Sequence, residues 1–321
     1  KKYEEGNRDK EFLNQYFILK DRSGLDCSDV LLDYFALVDD SQLLDSINVP
    51  RIGKITVFDK KLANRFVDAA CAEAVNPVKD KKHSTTVNKA ICTFLSACVQ
   101  KTAQADQEEN FDEVLALKDR LFKATGAKNS ATAASLGGGN IYIPSELLRL
   151  NYYSAKKKLD KFNHLFINYI AELQKKYKET REEKIAMLKA MEAKLKEAKE
   201  SGNEAEYQAA RKLNAMMSAF SSIDDYYTST SMIENVERYE EIYEGEKDVA
   251  YKDRVAGWYV FLHQLSPSAK TATYVADKLL ALDKKELAKE VLTLGLKDGS
   301  AAAGVEEGDV KACQAKLDEL K

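Results

Sequence analysis

Chemistry needs nucleophiles, metal ligands or acid–base pairs at workable spacing, and this chain offers few. It has three histidines, His83, His164 and His263, none with a second His or a Cys at metal-ligand spacing. No H-E-x-x-H, C-x-x-C or G-x-S-x-G occurs. His83 lies among Lys79, Lys81 and Lys82 and reads as solvated. His164 sits beside Lys161 and Asn163 on a long helix, and His263 follows an aromatic helix face, the setting of a satisfied interfacial imidazole. The five cysteines, Cys27, Cys71, Cys92, Cys98 and Cys313, are an odd number, so internal pairing leaves at least one thiol over. Cys92 and Cys98 are too far apart along one helix to face each other, and all five read as small buried hydrophobes. The adjacent pairs Asp39-Asp40 and Asp224-Asp225 read as caps and turns, because neighbours on a helix point apart. Gly137-Gly138-Gly139 precedes no G-K-[ST], so the segment reads as a surface loop and not as a phosphate cradle. The expectation is no catalytic residue, no cofactor and no metal site.

The 321 residues carry 49 Lys+Arg against 52 Asp+Glu, a formal net charge of -3. A dedicated nucleic-acid binder shows a strongly basic domain, and this balance argues against one. With 45% apolar residues and only 4 Pro and 14 Gly, the chain has material for cores and little room for a turn-rich β-sandwich. No apolar run approaches the ~20 residues that span a bilayer, and no signal-type apolar segment occurs. Lys1 stands where a methionine would begin a translated chain, so the sequence reads as a processed product or a piece of something longer.

The elements that must position any site are helices. Asp9 caps a helix over Lys10–Lys20 with Phe12, Leu13, Tyr16 and Phe17 on one face, and Ser23-Gly24 ends it. Asp26 or Ser28 opens a second helix, Ser41 a short third, and Pro50 closes the group. Asp59, Ser84 or Thr85, and the residues before Phe111 start three more amphipathic helices. The run Ile52–Phe58 has β-branched alternation but no partner strand, so it reads as an extended linker. Pro144-Ser145 opens one long helical region. From Lys175 to Glu200 it carries nine Lys/Arg and six Glu around a narrow stripe of Leu188, Met191, Leu195 and Ala198, the pattern of a solvated coiled-coil-like arm. Ser201-Gly202-Asn203 turns the chain back through Tyr207, Leu213, Met216 and Phe220. Short helices follow over Val249–Leu265, from Ser266-Pro267, from Asp283 as a cap, and over Val305–Leu320. Small residues alternating with large ones at Ala272, Tyr274, Ala276, Leu279, Ala281 and Ala288 permit close antiparallel packing of the tetratricopeptide type. The expected organisation is an N-terminal helical domain at 1–126, a loop at 127–143, a long-helix arm at 144–246 and hairpins at 247–321.

Two stretches carry a resemblance. Lys2-Tyr3-Glu4-Glu5-Gly6-Asn7-Arg8-Asp9 with Glu11-Phe12-Leu13 is similar to the segment that opens the helical region of bacterial envelope thioredoxin-like proteins. Ala256-Gly257-Trp258-Tyr259-Val260-Phe261, with Tyr274-Val275-Ala276 to Leu296, resembles the degenerate tetratricopeptide-like hairpins that close them. Lys10 departs from the proline usual after that aspartate, the basic arm looks like an insertion, and the thioredoxin domain with its C-x-x-C is absent. The resemblance implies an extracytoplasmic setting, in the periplasm or cell envelope, with a thioredoxin-fold domain upstream, and it transfers no catalytic residue.

The expected fold is therefore all-α, stacked antiparallel hairpins with a charged arm. The expected function is a non-catalytic scaffold that recognises a protein or peptide, since helical stacks expose concave surfaces. The expected contact surface is the aromatic cluster Tyr226, Tyr227, Tyr251, Trp258 and Tyr259, weighed against the simpler role of filling the joint between hairpins. Two alternatives stand beside it: thiol redox chemistry without C-x-x-C, and glycan binding through exposed Trp and Tyr.

Overall fold

The computed structural model describes residues 2–46, 49–75, 81–125, 143–298 and 305–320; the side chains at 41, 44, 49–50, 81–86, 181–189, 191–192, 195, 209–227 and 298 are not part of that description. The fold is all-α: fourteen helices and no strand occur among the described residues. In chain order they are α1 (Lys10–Arg22), α2 (Ser28–Ala36), α3 (Asp40–Ser46), α4 (Val49–Ile52), α5 (Lys60–Val75), α6 (Lys81–Gln104), α7 (Glu108–Thr125), α8 (Ser145–Ala155), α9 (Leu159–Glu200), α10 (Glu204–Ile242), α11 (Val249–Leu265), α12 (Ala269–Ala281), α13 (Lys285–Asp298) and α14 (Glu307–Glu319). The chain divides into two compact units, Lys1–Ser145 and Glu146–Lys321, so the long arm and the C-terminal helices belong to one unit.

Side-chain caps set many of the starts, each satisfying an amide that has no partner within its helix. Asp9 accepts from Phe12 N at 3.0 Å, Asp59 from Leu62 N at 2.7 Å, Asn203 from Glu206 N at 3.3 Å and Asp248 from Tyr251 N at 2.8 Å. Four helix ends share another device. At Gly24, Asp106, Lys157 and Asp283 the backbone turns into the left-handed region, with φ of 67°, 55°, 54° and 62°. The next amide then reaches back to a carbonyl five residues earlier, as in Lys158 N to Tyr153 O at 2.8 Å and Lys284 N to Leu279 O at 2.8 Å. Three of the four lack glycine, so each bears the steric cost that glycine avoids.

These turns correct two of the expected boundaries, and two others also differ. The long helical region expected from Pro144 is divided at Lys156–Lys158, because Lys157 takes the left-handed turn. Asp283 is the turn residue after α12 and not the cap of α13; its carboxylate pairs with Lys252. Pro50 lies within α4 instead of closing the group, since proline fits the first helical turn. The helix expected to start at Ser84 or Thr85 begins at Lys81. The Asn76-Pro77 stop, the 127–143 loop save its last residue, and the side chains of His83, Leu188, Met191 and Leu195 lie outside the described residues.

In the first unit α5 packs on α2, α3, α6 and α7. Its core is threaded by rings meeting edge to face: Tyr34–Phe35 at 5.4 Å, Phe35–Phe66 at 5.0 Å and Phe66–Phe94 at 5.3 Å between centroids. Lys118 is buried here, its Nζ 2.8 Å from Ser145 Oγ and 3.1 Å from Asp119 Oδ1. Ser145 Oγ donates to the same Asp119 oxygen at 2.8 Å. In the second unit α9 and α10 pack together across the Ser201–Asn203 turn, where Gly202 adopts φ of 68°. α11 lies on α10, and α12, α13 and α14 pack mutually beyond it.

Candidate functional site

Two short links put the aromatic residues of the second unit in one place. Asp248 fixes the start of α11, so Tyr251 falls in its first turn and Trp258 two turns later on the same face. The connection from α10 is tight: a Cβ on Gly245 would lie 2.4 Å from the Tyr243 ring. Phe166 of α9 stacks on Tyr239 of α10 at 5.3 Å and meets Trp258 edge-on at 5.2 Å. Tyr239 meets Trp258 at 5.2 Å, and Tyr243 lies 4.5 Å from Tyr251.

Of the five rings singled out from the sequence, the structure brings together Tyr251, Trp258 and Tyr259, with relative exposures of 2%, 6% and 0%. They fill the joint between α9, α10 and α11 and do not form a solvent-facing patch, because the helix face that carries them is the one α10 covers. The side chains of Tyr226 and Tyr227 lie outside the described residues. What reaches the surface is the polar edge of the joint. The Arg254 guanidinium sits 5.6 Å from the Trp258 ring and 5.9 Å from the Tyr251 ring, and donates to Tyr239 OH at 3.3 Å. Tyr259 OH donates to Glu240 Oε2 at 2.6 Å. Tyr274 OH donates to Glu237, which also pairs with Lys278.

These groups border a recess of about 310 Å³ lined by Glu237, Glu240, Glu241, Lys247, Lys278 and Ala281. Spacing explains the three carboxylates: positions i, i+3 and i+4 of α10 share a face. Burial pushes the Glu237 carboxyl up, but the bonds from Lys278 and Tyr274 outweigh it, so it ionises below its ordinary value. Burial, then the bond to Glu240, holds the Tyr259 phenol far above its usual range; burial and Glu240 push Tyr251 up to about 12. The recess is thus a charged, hydrogen-bonding surface of three carboxylates and two ammonium groups at the edge of an apolar joint. A larger hollow of about 370 Å³ is lined by Glu286, Lys289, Glu290, Thr293, Leu294 and Lys297, all from α13, and a single helix face encloses nothing.

The thiols and imidazoles take other roles. All five cysteines are free; four are buried and Cys71 is partly so. Burial raises every one, Cys92 and Cys98 to about 12. His164 is exposed, its Nε2 3.1 Å from Asn168 Nδ2. His263 is fully buried. No group of three or more His, Cys, Asp or Glu able to hold a metal occurs among the described residues, and no helix among them is long and apolar enough to cross a membrane. No protein-family model, curated protein or solved structure matches the chain.

Proposed function

We propose that this chain is a non-catalytic helical scaffold that binds a protein or peptide partner, with the recess over the aromatic joint as a contact point for a basic side chain. The observation that carries the reading is the division of labour in the second unit. The rings are spent on rigidity, while the α10 carboxylates, Glu240 bonded from beneath by Tyr259, line a charged rim, the anatomy of a polar contact over an apolar anchor. The tetratricopeptide-like stacking of the C-terminal helices, the extracytoplasmic setting and a thioredoxin-fold domain upstream belong to the same proposal and are supported by the sequence resemblance alone.

The thiol alternative needs an accessible thiol of low pKa, and all five here are pushed upward. The glycan alternative leans on an exposed Trp beside exposed Tyr, and Trp258 is 6% exposed although Tyr274 is 42% exposed. The test is a panel of extended peptides, basic, neutral and acidic, titrated against the chain with Trp258 fluorescence as readout. Saturable binding of basic peptides, weakened at least tenfold by Glu241→Lys and by added salt, is the expected result. Equal binding of all three classes, or none, rejects the recess as the contact.

A further inference from the structure

The second unit holds a titratable group that the recess does not use. His263 sits in the last turn of α11, fully buried where α11, α12 and α13 meet. Its Nδ1 lies 3.3 Å from Thr271 Oγ1, in the first turn of α12, where the Ser268 hydroxyl in turn meets Thr271 Oγ1 at 2.7 Å and accepts from Thr271 N at 3.1 Å. Its Nε2 has no hydrogen-bond partner. The groups around it are neutral: Thr271 and Ser268 from α12, and from α13 the Val291 backbone, which favours the charged form without meeting Nε2 in bonding geometry. From α10, Ser229 bonds the carbonyl of the preceding Leu262 at 2.7 Å. No carboxylate or ammonium contributes to its environment among the described residues.

One turn beyond Val291 the joint has no slack. A Cβ on Gly295 would lie 2.4 Å from Ala272 Cβ and 3.1 Å from the Ser268 carbonyl. Close-packed joints of this kind switch between discrete arrangements and do not swell gradually to admit water. A proton on His263 therefore creates a buried cation with no carboxylate beside it, next to the positive N-terminal end of α12. We propose that His263 is an acid-sensitive latch: neutral, it lets α12 and α13 dock on the end of α11; protonated, it releases them.

The direction follows from linkage. Burial lowers the folded-state pKa from the ordinary 6.5 to about 4. Between those values the open state binds the extra proton, so docking is at full strength above about pH 6.5 and weakens as pH falls, until nothing further is lost below the folded value. The experiment is hydrogen exchange by mass spectrometry on the full chain at pH 7, 6 and 5, corrected for intrinsic rates, comparing the wild type with His263→Phe. The opening equilibrium of α12 and α13 rises about twentyfold in all between pH 7 and 5 in the wild type, most of it below pH 6, and His263→Phe removes that rise. The same rise in His263→Phe, or no excess opening of α12 and α13 over α9 and α10, overturns the latch. If His263→Phe does not fold, NMR titration of the three imidazoles in the wild type decides: a His263 midpoint below 5 supports the latch and one above 6 overturns it.

Discussion

The two units solve the same packing problem with different rings. The first threads Phe35, Phe66 and Phe94 edge to face through α2, α5 and α6, with Tyr34 at one end. The second uses Tyr239, Tyr251 and Tyr259 around Trp258 and Phe166. A phenyl ring gives its whole perimeter to the core and asks for nothing. A tyrosine gives almost the same area but brings a hydroxyl that must be paired or left at a cost. The phenyl ladder therefore stays silent at the surface. The tyrosine joint places Arg254, Glu240, Glu237 and Lys278 around its edge, because those are the groups its hydroxyls and their neighbours require. Polar rims follow from polar rings.

The largest effect separating the two designs belongs to the phenyl ladder. Phe66 is fully buried and touches a ring on either side. Phe66→Ala removes both contacts and leaves a cavity at the centre of the unit, costing about 3–5 kcal/mol. Denaturant melts should show it as a lower midpoint, with faster amide exchange in α2, α5 and α6. A loss below about 1 kcal/mol would mean that the ladder decorates the core without organising it.

Next comes the close contact in the second unit. Gly295→Ala drives a methyl into Ala272 and costs about 1–3 kcal/mol by overpacking. Ala272→Gly opens the space opposite, so the double variant should lose less than the sum of the two single ones. Strict additivity would show that α12 and α13 simply move apart.

Tyr259→Phe addresses the rim directly. Its phenol is buried and donates to a carboxylate, so its removal costs about 1–2 kcal/mol and leaves Glu240 without that donor. Phe66→Ala disturbs a core without touching a rim, whereas Tyr259→Phe keeps the ring and changes the rim. If basic peptides bind at the recess, Tyr259→Phe should alter their affinity more than its stability loss predicts.

How much of this was legible in the sequence depends on whether the signal was local. Asp9, Asp59 and the Ser201–Asn203 turn announce themselves, because a cap or a glycine turn is decided within four residues. The turn at Lys157 does not, since lysine is an uncommon left-handed residue and no glycine or asparagine marks the place. Asp283 misleads for a related reason: an aspartate before a helix usually caps it, yet this one closes the previous turn and pairs with Lys252. The aromatic cluster was visible as a set, but spacing along α11 cannot say whether α10 covers it. The recess was harder still. Glu237, Glu240 and Glu241 look like any solvated helix face until Lys278 and Tyr274 arrive from α12, which no local pattern reports.

The smallest effect is the sharpest test of the difference between the cores. Tyr251 is 2% exposed, stacked near Tyr243 and Tyr239, and its hydroxyl has no hydrogen-bond partner. Its ring belongs to the joint, but its oxygen does no work in holding it. Tyr251→Phe keeps the ring and deletes the unpaired group, so stability should be unchanged or should rise by up to about 1 kcal/mol. Tyr259→Phe, made on the same helix, must move the other way. Paired melts of the two variants read the sign directly. A clear loss in Tyr251→Phe would mean that its hydroxyl has a partner after all, and that this joint is as fully paired on its polar side as the phenyl ladder is on its apolar one.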